Sequence, residues 1–439
     1  MNKSKLIFLL VMVLLTLGGY SQTPLQAPQS AKVDSIECYI NDAIREEYFP
    51  GAQLVIGNSA QILYAAEYGY TDYTKHHAVD STTLYDLASC TKVMATTLAV
   101  MNLVDSSRLT LNTTLDDCIS LPDTVKFGKL TVENLLFHES GFLSGVVWAP
   151  SLIKPTHNSV TLFSRRRSAT NPYKFDKNYY VARETEYNLD FVDTLPAKGN
   201  IFIQKELYIK PAYREHLDSL IYAAYRPKLR GTHRYSDLNF YFLQEIIHAT
   251  THEQIDRIAN KIYRRMGLEK IGYKPLRWSK LSHIAPTEYD PLFRHRTVHG
   301  TTHDELAALQ GGVAGNAGIF ASARDVARIC AMFLRNGVDY SGNQIISGET
   351  VRRFTRIKRY DSGRVAALGF TKVDNEELPY TPESYGHSGF TGTFFWVDPT
   401  KDLYIVLLTN SINPTRAERK MDSKYRAGLW ELAAKYFGE

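Results

Sequence analysis

The sequence predicts a mixed α/β protein in which strands from both ends of the chain form one sheet, covered by helices, while the middle of the chain is mostly helical. Two β-rich runs lie close together soon after residue 50, and further β-rich runs return after residue 365. Between them, apolar residues recur at spacings of three and four, the period of an amphipathic helix. Strands so far apart in the chain must meet in space, so we expect the helices to pack onto the sheet.

The N-terminal segment has the layout of a secretory signal peptide. Two lysines near the start precede an unbroken apolar run over 6–15, and small and polar residues follow over 18–22. This order predicts a signal peptide over 1–21, with cleavage near Ser21. The apolar run is short for a membrane span, and an uncleaved anchor is the alternative.

The remaining chain is expected to be a short linker followed by one folded domain. Residues 22–31 are rich in Pro and Gln, and the domain is predicted over 32–439, with an insertion at about 148–230. No later segment approaches a membrane span in length and hydropathy, so we expect none in the mature chain. The expected location is periplasmic or secreted.

Composition excludes several classes of function. Of the 439 residues, 44% are hydrophobic and 22% charged, and the net charge of +5 is spread without a basic stripe. Nucleic acid is therefore not expected as a partner. The four cysteines lie at wide spacings that do not resemble a zinc site, although export would permit a disulfide. Oligomeric state is not indicated by composition.

The first elements are a helix and a hairpin. Apolar residues at helical spacing predict a helix over 32–47, and two β-rich runs at 51–57 and 62–66 are joined by the polar segment 58–61. The segment 84–88 then leads into an apolar helix that starts at about Ser89.

The segment 158–230 is the least regular part of the chain. It is rich in tyrosine and contains the run Arg165 to Arg167. A solvated insertion is one interpretation. The other is a lid whose aromatic faces and arginines hold a sugar or an anionic ligand.

Regular patterns resume after this insertion. Periodicity and β-rich composition predict helices over 238–248, 304–309, 323–334 and 424–437, and strands over 365–373, 393–397 and 403–409.

Ser89 and Lys92 are the first candidate catalytic pair. Residues three apart share one face of a helix, so the Lys92 amine would lie beside the Ser89 hydroxyl and could take its proton. A second Ser-x-x-Lys match, Ser151 to Lys154, is followed at once by Pro155 in a polar stretch, which makes it a poor helix start. Cys90 beside the candidate nucleophile is interpreted as a buried small hydrophobic residue.

Two later motifs carry further candidates. Tyr235-Ser-Asp237 precedes an apolar helix, and a tyrosine hydroxyl beside a lysine ammonium would have a lowered pKa and could carry protons. The alternative is a half-buried aromatic residue at a capped helix start. The run 386–393 is Gly-His-Ser-Gly-Phe-Thr-Gly-Thr, whose glycines would let the backbone approach a ligand. His138, which precedes Glu-Ser-Gly141, is either catalytic or structural.

Taken in order, these three motifs resemble those of the serine β-lactamase and penicillin-binding-protein superfamily. The Tyr of the second motif and the His of the third are most similar to the branch of class C β-lactamases and DD-peptidases, which also contains esterases. The resemblance runs from about Asp34 to the C-terminus and includes the segments 138–141 and 312–320. It implies an antiparallel sheet flanked by helices, with an inserted, mostly helical subdomain and the site between them.

The resemblance also implies a role for each motif residue, and it implies no metal and no cofactor. Ser89 would be the acylated nucleophile, Lys92 would keep it deprotonatable, and Tyr235 would pass protons to the leaving group and from water. The substrate and oxyanion contacts would be His387, which binds a substrate carboxylate; Gly389, which keeps the strand edge open; Phe390, whose N–H pairs with that of Ser89 around the oxyanion; and Asp237.

Three departures from the family pattern bear on the substrate. Asp237 stands where Asn is usual, His387 stands where Lys is usual, and the insertion lengthens the chain between Ser89 and Tyr235. The histidine predicts a weaker or pH-dependent hold on a substrate carboxylate.

The resulting expectation is an exported serine hydrolase that cleaves a small-molecule or cell-wall peptide amide, or an ester. A DD-carboxypeptidase or amidase and a carboxylesterase are equally favoured, and a true β-lactamase is third. From a different class, the chain could be a non-catalytic module that binds peptidoglycan or a glycan.

Overall fold

The computed structural model describes residues 30–438, which form a five-stranded sheet between two layers of helices. The predicted signal peptide over 1–21, and residues 22–29 of the predicted linker, lie outside the described residues; residues 30 and 31 begin the first helix. The α-helices, in chain order, are α1 (Ser30–Arg45), α2 (Leu98–Asp105), α3 (Leu115–Cys118), α4 (Val132–Leu136), α5 (Ala149–Leu152), α6 (Tyr213–Ala223), α7 (Asp237–Thr251), α8 (Ile255–Arg265), α9 (Glu305–Leu309), α10 (Ala323–Leu334), α11 (Gly348–Thr355) and α12 (Ser423–Phe437).

The strands within the same residues are mostly short. They are β1 (Gly51–Gly57), β2 (Ile62–Gly69), β3 (Tyr85–Asp86), β4 (Ile153–Pro155), β5 (Phe163–Ser164), β6 (Tyr173–Lys174), β7 (Tyr180–Val181), β8 (Thr185–Tyr187), β9 (Val192–Asp193), β10 (Ile201–Gln204), β11 (Leu207–Ile209), β12 (Ile271–Tyr273), β13 (Tyr289–Asp290), β14 (Arg296–Thr297), β15 (Ile319–Ala321), β16 (Lys358–Arg359), β17 (Val365–Ala366), β18 (Tyr385–Ser388), β19 (Phe394–Asp398) and β20 (Leu403–Thr409).

The main sheet confirms the predicted fold class. Its order is β18-β19-β20-β1-β2 with every neighbouring pair antiparallel, so strands from both ends of the chain lie side by side. The predicted hairpin is β1 with β2. Alternate side chains leave the sheet on opposite faces: Leu54 belongs to the hydrophobic core under α1 and α12, whereas Val55 belongs to the larger core that includes α2, α7 and α10.

The helices that border the sheet begin at capped positions. The Ser322 side chain accepts a hydrogen bond from the N–H of Asp325 at the start of α10, and Asp422 does the same for Tyr425 at the start of α12. Such caps satisfy backbone donors that a helix leaves unpaired at its first turn. The two helices are thus fixed in place on opposite faces of the strands that carry the C-terminal motif.

One strand prediction is wrong, and another strand was missed. The predicted strand over 365–373 is reduced to β17, because Gly369 has φ +80° and the N–H of Ala367 turns back to the carbonyl of Phe370. The edge of the main sheet is instead β18, which lies inside the third motif. Beyond it, Thr371 alone pairs with Gly386.

The middle of the chain has the expected helices, and the insertion adds short strands. Helices α2 to α4 and α7 to α8 pack together, whereas residues 148–230 contain α5, α6 and the strands β4 to β11. The arginines at 165–167 are exposed. No helix within residues 30–438 combines the length and hydropathy that crossing a membrane requires. All four cysteines are free thiols.

We expect Leu407→Ala on β20 to lower the free energy of unfolding by about 2–5 kcal/mol, because it opens a cavity in a fully buried site of the central sheet. The matched control is Leu189→Ala, since Leu189 is 67% exposed, and it should change that free energy by less than about 0.5 kcal/mol. Urea denaturation of both variants checks this. Equal losses in the two variants would contradict the described core.

Candidate active site

Ser89 and Lys92 lie at the start of a continuous helical segment. Ser89 is in the single 3₁₀ turn Ala88–Cys90, and Lys92 opens a π-helical turn, Lys92–Thr97, that runs directly into α2. The Lys92 Nζ donates a hydrogen bond to Ser89 Oγ at 3.0 Å. The predicted pairing of hydroxyl and amine on one helix face is therefore present. The helix differs from a regular α-helix, because it begins with a narrower 3₁₀ turn and continues with a wider π-helical turn.

The residue before Ser89 is held in an unusual backbone conformation. Ala88 has φ +44°, in the left-handed region that costs an L-residue about 1–2 kcal/mol. Asp86 clamps this turn, because one carboxylate oxygen accepts from the N–H of Ala88 at 2.9 Å and the other accepts from the N–H of His303 at 2.7 Å. The strain and the clamp together fix the direction in which the Ser89 side chain leaves the backbone.

Tyr235 reaches the same hydroxyl from the other side of the cleft. Its phenol oxygen donates to Ser89 Oγ at 3.0 Å. The ring stacks against His138 with centroids 4.7 Å apart. His138 Nδ1 accepts from the N–H of Ser236 at 3.1 Å and from the Asn239 amide at 2.9 Å, so its imidazole is a buried acceptor. These contacts give His138 a positioning role on Tyr235.

Lys92 is fully buried and has three oxygen partners. Besides Ser89 Oγ, its Nζ lies 2.6 Å from Asp237 Oδ1 and 3.1 Å from the carbonyl oxygen of Asn316. Burial alone would lower the pKa of Lys92, but the charge of Asp237, and then Tyr235, outweigh burial and raise it above the usual lysine value. The raised pKa favours the ammonium form of Lys92, which differs from the expectation that its amine takes the proton of Ser89.

The pKa of Tyr235 also differs from the sequence prediction. Burial of the hydroxyl raises this pKa more than the Lys92 ammonium lowers it, and Asp237 raises it further. Tyr235 as a residue is 40% exposed, and its hydroxyl end is the part held against Ser89 and Lys92. At neutral pH Tyr235 is thus a neutral phenol; the Lys92 ammonium lowers its pKa as predicted, but the net shift is upward.

His387 lies on the edge strand β18, buried and without charge. Its ring is 6.2 Å from that of Tyr235, and its Nδ1 donates to the carbonyl of Ser388 at 2.9 Å. Burial, followed by the Lys92 ammonium, lowers the pKa of His387 to about 3. The imidazole therefore stays neutral in the physiological range, which favours the weaker hold on a substrate carboxylate over the pH-dependent one.

Gly389 lets the third motif approach the nucleophile turn. A Cβ at this position would lie 2.5 Å from the carbonyl oxygen of Leu87 and 2.1 Å from Thr393 Oγ1, so only glycine fits. Thr393 Oγ1 in turn donates to that same Leu87 carbonyl at 2.9 Å. Phe390, whose N–H is the predicted second oxyanion donor, directly follows this contact.

The Phe390 side chain lies at the exposed rim of the cleft. Its ring is 41% exposed, and one face stacks on His303 with centroids 5.7 Å apart. The guanidinium groups of Arg416 and Arg419 lie 5.5 Å and 5.1 Å from its centroid. Arg416 also lies 4.8 Å from the ring of Phe175 in the insertion. The insertion thus reaches the rim beside Phe390.

Cys90 is confirmed as a buried thiol. It is 2% exposed, and burial raises its pKa to about 12, which makes it unreactive as a nucleophile. Its Sγ donates to the carbonyl of His387 at 3.6 Å. Cys90 therefore ties the Ser89 turn to the edge strand.

Two residues of the site, Asn316 and Asp304, were not predicted from the sequence. The glycine-rich run places Asn316 against Lys92, and its side-chain amide donates to Asp304 Oδ1 at 2.9 Å. Burial, and then the negative charges of Asp237 and Glu305, raise the pKa of Asp304 to about 6. Only the run of glycines hinted at this contact, since a Cβ at Gly315 would lie 2.1 Å from a backbone carbonyl of α7.

The arrangement can support nucleophilic catalysis by Ser89. Two protonated donors, Lys92 and Tyr235, converge on one hydroxyl oxygen and would stabilise negative charge that develops on it. Tyr235 has one partly exposed face toward the cleft, where a leaving group could receive a proton.

Comparison with known proteins gives a consistent picture. A family model described as beta-lactamase matches residues 38–179 and 187–428. A protein of Escherichia coli O157:H7, named as a candidate D-alanyl-D-alanine carboxypeptidase, is 27% identical over 436 residues, which cover 92% of this chain and 88% of that protein. Among solved structures, EstCE1, described as a hydrolase with promiscuous acyltransferase activity, aligns with a TM-score of 0.62 at 16% identity, covering 92% of this chain and 98% of EstCE1. A penicillin-binding-protein homologue from Caulobacter crescentus aligns with a TM-score of 0.61 at 16% identity and the same coverage.

We expect Asp237→Asn to move the alkaline limb of the pH–rate profile to lower pH. Asp237 raises the pKa of Lys92 and also raises that of Tyr235, so its removal lets both lose their protons earlier as the pH rises. Steady-state hydrolysis across the alkaline range measures this, with Asp190→Asn on the exposed surface as the matched control. An alkaline limb that stays in place or moves to higher pH would contradict the assignment of Lys92 as an ammonium ion.

We expect the KM of a carboxylate-bearing substrate to be independent of His387 protonation between about pH 5 and 8. Because the pKa of His387 is lowered to about 3, protonation begins only well below this window. The KM values at the two ends of the window, compared between the native enzyme and His387→Gln, test this. Tighter binding at pH 5 that disappears in His387→Gln would show a charged imidazole and oppose this reading.

Proposed function

This chain belongs to the β-lactamase family of serine hydrolases, and we propose that it cleaves an amide or ester through an acyl-enzyme on Ser89 and that it is exported. The resemblance to the serine β-lactamase and penicillin-binding-protein superfamily is confirmed by the family match, the curated relative and the structural neighbours. The observation that carries the catalytic proposal is that Lys92 Nζ and the Tyr235 hydroxyl each lie 3.0 Å from Ser89 Oγ.

The proton path follows from the charges of the two partners. Lys92 remains an ammonium ion and Tyr235 a neutral phenol, so neither is a free base in the resting state. In the proposed first step, Ser89 Oγ bonds to the substrate carbonyl carbon as its proton moves to the Tyr235 oxygen. In the same concerted transfer Tyr235 gives its own proton to the nitrogen or oxygen that leaves, so the phenol never carries two protons, and the scissile bond then breaks. Lys92 stabilises the negative charge that passes between the two oxygens.

Deacylation reverses the same relay. Water takes the position of the leaving group, gives a proton to Tyr235, and attacks the acyl carbon, while Tyr235 returns a proton to Ser89 Oγ. The proposed oxyanion donors are the N–H groups of Ser89 and Phe390, and the close approach of Gly389 to Leu87 supports this pairing. The cycle needs only side chains and backbone of this chain.

Two substrate classes are compatible with this proposal: a cell-wall peptide and a carboxylic ester. The name of the Escherichia coli relative favours a DD-carboxypeptidase or amidase acting on cell-wall peptide. The neutral His387 favours a carboxylesterase, because the third motif supplies no cation for a substrate carboxylate. True β-lactamase activity ranks third for the same reason. A non-catalytic binding module is disfavoured, since binding alone requires no hydroxyl hydrogen-bonded to both an ammonium and a phenol.

The proposal of export rests on the sequence. Positive charge, an apolar run and small residues over 1–21 have the order of a secretory signal peptide. A periplasmic or secreted location would place the enzyme where cell-wall peptides are found.

We expect a fluorophosphonate probe to add one covalent mass to the enzyme, located on Ser89. The label should be absent in Ser89→Ala and retained in Ser151→Ala, which removes the serine of the second Ser-x-x-Lys match. Intact-protein and peptide mass spectrometry measure this. A label that survives Ser89→Ala, or a native protein that the fluorophosphonate does not label, would refute the proposed nucleophile and favour a binding module.

We expect Tyr235→Phe to lower kcat/KM by a factor of about 10² or more, as for the loss of a general acid–base group. The assays should use a D-alanyl-D-alanine peptide, a short-chain p-nitrophenyl ester and nitrocefin side by side, because the rank order of the three also identifies the substrate class. Full activity of Tyr235→Phe on the best substrate would remove Tyr235 from the proton path.

A further inference from the structure

A second cavity lies beside the candidate active site and has no role in the reaction described above. Its volume is about 480 Å³, within the range of small-molecule sites. Its walls come from β10 of the insertion, the 3₁₀ turn Pro275–Arg277, the loop 300–302, the glycine-rich segment 310–312 and the strand β15. The insertion therefore supplies one wall of an open pocket.

The cavity and the catalytic residues share the same backbone segments. Phe320 of β15 lines the cavity and pairs with Asp86, the residue that clamps the turn before Ser89. Thr302 lines the cavity, and the next residue, His303, stacks on Phe390. A ligand here would contact the segments that position the nucleophile.

Two cations line this cavity without a carboxylate partner. Among residues 30–438, neither Lys274 nor Arg277 forms a salt bridge within 4.0 Å. Burial, and then the charge of Arg277, lowers the pKa of Lys274. Lys274 also has φ +50°, so the backbone holds it in an uncommon conformation at the cavity wall. The charge of Asp256 acts on Lys274 in the opposite direction but forms no salt bridge with it, so both cations are left to pair with an anion in the cavity.

The remaining lining is apolar, with polar groups that lack partners. Thr302 is 5% exposed, and its hydroxyl has no hydrogen-bond partner within the described residues, as is also true of the Gln310 side-chain oxygen. Neither oxygen has accessible surface in the cavity, so the contacts that a ligand would make there come from the apolar side chains and the two cations. Ile201 and Ile203 of β10, with Phe320, supply apolar surface.

We propose that this cavity binds a carboxylate carried on a short apolar chain, with Lys274 and Arg277 as its charge partners. Two sources of this chemistry are distinguished by experiment: the acyl part of the substrate itself, which rests on the proposed function, or a separate carboxylic acid that acts as an effector.

The first arm measures binding independently of catalysis. Hexanoate and its uncharged analogue hexanamide are titrated calorimetrically into Ser89→Ala protein, into the same protein with Lys274→Met, and into the same protein with Lys280→Met. Lys280 is an exposed lysine of the same segment outside the cavity. We expect hexanoate to bind at least tenfold more tightly than hexanamide, and Lys274→Met to weaken hexanoate about tenfold, as for the loss of one charged hydrogen bond. Lys280→Met should have no effect.

Three results would overturn the proposal: no binding of hexanoate, equal binding of the amide, or an unchanged Kd in Lys274→Met. A circular dichroism spectrum and a melting temperature matching those of Ser89→Ala establish that Lys274→Met is folded. Arg277→Leu, at the exposed mouth, repeats the test without changing a residue of left-handed backbone conformation.

The second arm identifies the source of the carboxylate. The native enzyme hydrolyses the p-nitrophenyl ester of hexanoic acid and the mono-p-nitrophenyl ester of adipic acid, which ends in a carboxylate. If the substrate occupies the cavity, the adipate ester has the lower KM, Lys274→Met removes that advantage, and free hexanoate competes with it. If a separate effector occupies the cavity, hexanoate changes kcat for both esters without competing. If neither ester is hydrolysed, the ester form of the proposed function fails while the binding arm still decides the cavity proposal.

Discussion

The ion pair between Lys92 and Asp237 is the interaction on which the rest of the site depends. An ammonium ion that is fully buried costs several kcal/mol to desolvate, so it persists only with close oxygen partners. Asp237 at 2.6 Å and the Asn316 carbonyl at 3.1 Å supply them. The pair sets the charge around Ser89 and leaves Tyr235 as the group that moves protons, while the Lys92 ammonium adds to the burial that keeps the His387 imidazole neutral. Because α7 and the glycine-rich segment must converge to hold it, the pair also fixes the fold locally.

Much of the fold could be predicted from the sequence, because buried helices and strands have apolar residues at regular spacings. The hairpin of β1 and β2, the helix α10 and the strand β20 all carry apolar runs of the right length and spacing. The edge strand β18 does not, since its four residues include a glycine and a histidine and lie at the edge of the sheet, where one partner strand suffices. The strand prediction over 365–373 was wrong for the opposite reason. Its composition is β-rich, but Gly369 turns the backbone out of the sheet.

The candidate site also has a part that the sequence predicted and a part that it did not. Short sequence motifs predicted Ser89, Lys92 and Tyr235 as catalytic candidates. The structure brings all three side chains together. Their protonation states were not predictable, because a pKa depends on burial and on partners that are distant in the chain. Asp237 was read as a substrate contact, yet its carboxylate lies against Lys92. For the Asp304–Asn316 contact the run of glycines was the single signal, and it did not identify which residues would meet.

The most direct test of this account is the protonation state of Lys92 itself. Protein labelled with ¹³C at lysine Cε can be titrated by NMR, with the Lys92 signal assigned by its absence in Lys92→Arg. Since Asp237 holds the pKa above the usual lysine value, we predict that the signal keeps its ammonium chemical shift from neutral pH to about pH 10. A Lys92 that loses its proton near neutral pH would make lysine the base and contradict the account.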